Sequence, residues 1–139
     1  MTRGIKPSGF SLRRIMKVII AGGRDFTNYA LVETAIKVSG FEISQVVSGK
    51  AKGVDTLGEV WALANNVPVE AFPADWSQHG RAAGPIRNRE MAEYADALIA
   101  IWDGESKGTA NMIQQARNKK LDVFIYLVKD TDGKTNTNH

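Results

Sequence analysis

Val46-Val47-Ser48-Gly49-Lys50-Ala51-Lys52-Gly53-Val54-Asp55-Thr56 is an apolar run that breaks into a turn rich in glycine and lysine and then opens a helix. The pattern reads as a strand delivering its C-terminal edge to an anion the size of a phosphate. Gly49 and Gly53 let the backbone turn tightly and bring its N–H groups close to a ligand, and the helix that follows points its positive dipole end at the same spot. Ser48, Lys50 and Lys52 complete this cradle with a hydroxyl and two full charges. Asp55, in the first helical turn, complements the dipole or accepts hydrogen bonds from a ribose hydroxyl or a base edge, and the two roles are compatible. The stretch is not a Walker loop, because Gly-x4-Gly-Lys-Ser/Thr is absent. Spacing predicts a helix from about Val54 to Asn66 with Val54, Leu57, Val60, Trp61 and Ala64 on its core face.

Working outward, the same unit recurs. Lys17-Val18-Ile19-Ile20-Ala21 is a nearly continuous apolar run of the kind buried on both faces of a parallel sheet. It ends in Gly22-Gly23-Arg24-Asp25, a turn that can hold an anion through backbone N–H groups and a forked guanidinium. Thr27 or Asn28 is the expected cap of a helix with Leu31, Val32, Ala35 and Ile36 at helical spacing. After the second unit, Val67 to Pro73 reads as an edge strand with proline at its start and end. Ala74 to Pro85 reads as a long irregular loop of the sort that covers a site, with Trp76 plugging it onto the core or stacking a base; plugging is the expectation. His79 is read as a surface histidine.

Arg87-Asn88-Arg89 begins the next predicted helix, where arginines at i and i+2 diverge, so that only one faces a ligand. The fourth unit is a strand over residues 97–102, then Asp103-Gly104-Glu105-Ser106-Lys107-Gly108-Thr109 and a helix with Met112, Ile113 and Ala116 inward. Gly108 and Thr109 sit at its start, where a hydroxyl and free N–H groups can take a phosphate oxygen. The last strand is predicted over 123–128.

Alternating strands and helices imply a three-layer Rossmann-like α/β domain with a parallel sheet of about five strands and helices on both faces. In such a sheet the glycine turns gather at the C-terminal edge and form a nucleotide-sized pocket. The predicted ligand-binding set is therefore Gly22, Gly23, Arg24, Ser48, Gly49, Lys50, Lys52, Gly53, Asp55, Arg87, Asn88, Asp103, Gly104, Gly108 and Thr109. Asp103 and Arg87 are the candidates for catalysis.

Composition sets the outer bounds. The chain has 139 residues, 43% of them hydrophobic, about right for one compact domain. Without cysteine there is neither a disulfide nor a thiolate metal site, and two scattered histidines make no metal cluster, so no metal and no cofactor are expected. The net charge of +3 belongs to residues 1–15, where Arg3, Lys6, Arg13 and Arg14 stand without an acid; from Met16 onward 14 basic residues face 15 acidic ones. The body thus lacks a global field that would steer it onto DNA. Residues 1–15 are expected to be a flexible basic leader, 16–128 the folded domain and 129–139 a flexible polar tail. Ser11-Leu12-Arg13-Arg14 has the look of a twin-arginine export signal, but the apolar run after it is too short, and no stretch approaches the roughly 18 apolar residues of a membrane span. A cytoplasmic location follows as the expectation.

Three groups of residues, Val47 to Thr56, Arg87-Asn88-Arg89 and Lys107-Gly108-Thr109, together resemble the SLOG superfamily of Rossmann-like domains, which includes DprA/Smf proteins and the LOG cytokinin-activating enzymes. With Gly22 to Phe26 and Ala74-Asp75-Trp76 added, the chain looks most like the small YspA-type branch. That resemblance implies a sensor of a nucleotide or nucleotide-derived signal, acting as a homo-oligomer in a phage or bacterial conflict system. LOG-like proteins imply an alternative, N-glycosidase or phosphohydrolase chemistry, for which Arg87 matches the family arginine and Gly108-Thr109 the Gly-Thr pair. Met112, however, occupies the place of the glutamate, a loss worth about a hundred- to ten-thousand-fold in rate, which tips the reading toward binding without catalysis. A DprA-like alternative, single-stranded DNA binding, is implied by Arg87 to Arg89 but lacks a basic track with aromatics in series.

Overall fold

The computed structural model describes residues 14–129. Its elements are β1 (Ile15–Gly22), α1 (Tyr29–Ser39), β2 (Glu42–Ser48), α2 (Val54–Ala64), β3 (Val69–Ala71), α3 (Trp76–His79), α4 (Ala83–Tyr94), β4 (Ala97–Trp102), α5 (Lys107–Asn118) and β5 (Asp122–Leu127). The five strands form one parallel sheet in the order β3-β2-β1-β4-β5. This is the expected Rossmann-like architecture.

Why the strand sequences lack polar alternation is visible in β1. Val18 and Ile20 enter the core shared with Val32, Ile36 and Val54 of α1 and α2, whereas Ile19 and Ala21 enter the core shared with Met91 and Met112 of α4 and α5. Both faces are covered, so both must be apolar. The short edge strand β3 lies between Pro68 and Pro73, as edge placement allows. Asn28 caps α1 by accepting a hydrogen bond from the Leu31 N–H at 3.2 Å.

Three expectations need correction. The buried stripe of α2 runs through Val54, Asp55, Gly58 and Ala62, with Leu57 and Trp61 only partly covered, while Val60 and Ala64 are exposed. The helix is rotated toward its small residues, because Gly58 lets it close on the Ile20 side chain. The segment 74–85 is not an irregular loop: Asp75 caps α3, a 3-10 turn spans residues 80–82, and α4 already begins at Ala83. Pro85 is tolerated there because the first turn of a helix leaves its N–H groups without helical partners. Ile15, placed in the leader by the sequence, opens β1; the leader up to residue 13 and the tail from residue 130 lie outside the described residues. Among the described residues no helix is long and apolar enough to cross a membrane.

Strand order fixes where a site can form. From β1 the chain moves to β2 and β3 on one side, then crosses to β4 and β5 on the other. The loops after β1 and β4 therefore diverge and leave a crevice between them at the carboxyl edge of the sheet.

Candidate functional site

That crevice is a cleft of about 980 Å3, within the range of small-molecule sites. Of the residues predicted from sequence, Gly22, Gly23, Arg24, Asp55, Arg87, Asn88, Asp103, Gly108 and Thr109 line it. Gly49, Lys50 and Lys52 line an adjoining cleft of about 540 Å3. Ser48, Gly53 and Gly104 line neither.

Arg87 is the pivot. Buried on α4, it donates from Nη1 to the Gly49 carbonyl and from Nε to Asn88 Oδ1 at 3.0 Å. Gly49 has to be glycine for this: a side chain there would meet the Arg87 guanidinium and the Asp55 carboxylate. Arg89 is exposed, so of the two arginines it is Arg87 that faces inward. Burial works against the charge of Arg87, Asp55 supports it, and Arg24 opposes it. Asn88 in turn donates to Asn111 Oδ1 at 3.0 Å and to the Gly108 carbonyl at 3.4 Å, clipping α4 to the start of α5.

Asp55 is buried at the start of α2 and accepts from the Ala51 N–H at 3.4 Å. Burial pushes its carboxyl up to about 6, against the opposing pull of Arg87 and of the loop amides. Gly53 precedes it with φ 77° and packs against the backbone of Gly23 and Arg24, where Val54 N–H donates to the Gly23 carbonyl at 3.1 Å. The loops after β1 and β2 are therefore tied to each other.

Ser48 and Lys50 of the β2 loop are committed to Glu59 of α2. Ser48 is fully buried, donates to Glu59 Oε2 and accepts from the Lys50 N–H at 3.1 Å, while Lys50 Nζ reaches Glu59 Oε1 at 2.9 Å. The β4 loop is built by Asp103, whose carboxylate accepts from the amides of Glu105 and Ser106, both at 2.8 Å. Those amides hold its carboxyl below the usual carboxylate range. At neutral pH Asp103 is thus ionised and occupied with its own turn, a poor general acid. Ser106 caps α5, and buried Thr109 meets its hydroxyl at 3.2 Å. Among the described residues no cluster of three or more histidine, cysteine, aspartate or glutamate side chains could hold a metal.

Sequence reasoning set plugging the core above base stacking for Trp76 and left it out of the ligand set. Trp76 is 51% exposed and does not plug the core; it lines both clefts with the Arg24 guanidinium 5.8 Å from its ring centre. Lys107, Asn111 and Met112 also line the principal cleft. Helical periodicity beyond Gly108 carries the signal for Asn111 and Met112; nothing local marks Trp76, whose position depends on α3.

Residues 16–79 match the family described as YspA, cpYpsA-related SLOG family. The Gene 61 protein of Mycobacterium phage D29 is 37% identical over 87 residues, which are 58% of this chain and 70% of that protein. The X-ray structure of DNA processing protein A (DprA) from Streptococcus pneumoniae superposes with a TM-score of 0.67 at 22% identity, over 86% of this chain and 53% of that one. The chain thus spans about half the length of that DprA, and the likeness concerns the fold. Together with a parallel sheet whose crossover opens onto glycine turns, these matches establish that the chain belongs to the YspA-related branch of the SLOG superfamily.

Proposed function

We propose that the chain binds a nucleotide or nucleotide-derived signalling ligand in the cleft between the loops after β1 and β4. One observation carries this reading: Arg24, Arg87 and the first turn of α5 surround a single crevice at the sheet crossover. Arg24 and Lys107 have no carboxylate within 4 Å among the described residues, so their charges are available to phosphate oxygens. The free N–H groups and positive dipole end of α5 add to the same field. A micromolar ligand needs about 8 kcal/mol, within reach of a few charge-assisted contacts and one enclosed base.

Binding without hydrolysis is supported by the groups facing the cleft. Met112, in the place of the LOG-type glutamate, is buried and apolar, and Asp103 is held ionised by backbone amides. Titration of a nucleotide panel followed by thermal shift and tryptophan fluorescence tests the proposal. A nucleotide-dependent rise in Tm with no release of free base or phosphate is the expected result. Stabilisation by single-stranded DNA alone would replace it with DNA binding, and base release abolished by Arg87→Ala would replace it with glycosidic hydrolysis.

A further inference from the structure

The two edges of the sheet are finished differently. β3 is a strand of three residues that stands between Pro68 and Pro73 and carries exposed Glu70, devices that keep an edge from pairing. β5, at the other edge, spans six residues, and from Val123 to Val128 it holds no charge, proline or glycine. Val123, Phe124, Ile125 and Tyr126 are only half-buried, and Leu127 is 68% exposed. Among the described residues its one neighbouring strand is β4. A long, apolar edge of this kind is a template for another strand.

Hydrogen bonding shows which backbone groups face outward. Asp122 N–H donates to the Asp96 carbonyl at 3.2 Å and Val128 N–H to the Trp102 carbonyl at 2.8 Å. Alternate residues of a strand turn their N–H and C=O groups to opposite sides, so the even-numbered residues of β5 bond to β4 and Val123, Ile125 and Leu127 aim theirs away from the sheet.

The strand is also complementary to itself. A two-fold axis perpendicular to the sheet at Ile125 sets two copies of β5 antiparallel, with Ile125 opposite its own copy, Val123 opposite Leu127 and Phe124 opposite Tyr126. The outward groups of residues 123, 125 and 127 then meet as hydrogen-bonded pairs, and the aromatic residues fall in the closer pairs between them. Charge matches as well, because Asp122 at the start of one strand comes to the end of the other, where Lys129 follows.

We propose that this edge docks a second copy of the chain, β5 pairing with β5 across that axis so that two five-stranded sheets join into one. The contact is isologous and closed, since each copy uses its own β5 and offers no further edge of the same kind. One pair of strands with its flanking side chains lies at the small end of stable interfaces, about 1,200 Å2 in total, so the dimer forms and dissociates with concentration. Val128 and Lys129, which follow β5, line the principal cleft, and the seam therefore runs up to the wall of the ligand site.

Sedimentation of the full chain from about 1 to 100 µM, a range suited to so small an interface, tests this. A monomer–dimer equilibrium is expected. Leu127→Lys, at an exposed position and with an unchanged circular dichroism spectrum as its folding control, weakens dimerisation at least about tenfold, as an edge lysine does. The chain has no cysteine, so a disulfide can report the geometry directly. Ile125→Cys, with its Cα about 5.5 Å from that of its copy, is expected to link two chains on oxidation. It should do so at least about tenfold faster than Leu63→Cys, at an 81% exposed position on α2, which packs over β1 and β2. A full chain that stays monomeric at the top of the range overturns the proposal and leaves β5 to the chain's own residues 130–139 or to a different protein. A dimer that Leu127→Lys does not weaken, or that Leu63→Cys links as fast, places the interface elsewhere and overturns it too.

Discussion

The loop after β2 and the loops after β1 and β4 are similar in composition, yet they use their polar residues differently. In the first, Ser48 and Lys50 are both committed to Glu59, and Asp55 to the Ala51 amide beside Arg87. In the others, the Arg24 guanidinium stands 5.8 Å from the Trp76 ring centre, and neither it nor Lys107 has a carboxylate within 4 Å among the described residues. Lys52 aside, the Gly-Lys turn thus serves here as a scaffold, and the less conspicuous turns hold uncommitted charge. Whether a polar side chain builds a turn or serves a ligand is decided by partners far away in sequence.

That contrast can be broken by mutation. Gly53→Ala should have the largest effect, because the residue has φ 77° and a side chain there runs into the Gly23 carbonyl. A loss of about 3 kcal/mol is expected, seen as a Tm lowered by roughly 10 °C. Arg87→Ala should follow, at about 2–3 kcal/mol, since it removes the bond to Gly49 and leaves buried Asp55 without its cation. Nucleotide affinity should fall in the same variant, which makes Arg87 the one residue where scaffold and ligand roles coincide.

Asp55 supplies a pH signature of the scaffold. Its folded carboxyl keeps its proton up to about 6, whereas in the unfolded chain it releases it near its ordinary value of 3.8. Its contribution to stability therefore declines as pH rises from about 4 to 6 and is level above that, by on the order of 2 kcal/mol. Chemical denaturation across this window, with the Asp55→Asn curve subtracted, should isolate the decline; an identical profile in both proteins would disprove it. The smallest and sharpest test pairs Ser48→Ala with Arg24→Ala. The first should cost about 1 kcal/mol of stability and change nucleotide affinity less than threefold. Arg24→Ala should leave stability within about 0.5 kcal/mol and weaken nucleotide binding about tenfold. Reversal of the two phenotypes would exchange the roles given to the loops.

Much of this was legible in the sequence, for a physical reason. Strands buried on both faces must be apolar throughout, so β1 and β4 declare themselves as runs, and the crossover order follows from their alternation with helices. Asn28 as a cap and Met112, Ile113 and Ala116 as the inner face of α5 are local, periodic signals. Ser48 and Glu59 stand eleven residues apart with no periodic relation, and Arg87 reaches Gly49 across 38 positions. Such pairings exist only once the sheet has formed. Trp76 was misread because α3 is a four-residue helix amid Gly80, Gly84 and Pro85, which together look like a loop.

The bond from Val54 N–H to the Gly23 carbonyl has one more consequence. With the Gly53 contact beside it, it locks the lengths of two neighbouring turns to each other, so neither can gain or lose a residue alone. At Gly104 and Gly108, after β4, a side chain would meet open space, and that turn is held by Asp103 and Asn88 rather than by a neighbouring turn. Insertions that retune ligand preference would therefore accumulate in that third turn, leaving the joined pair invariant in length.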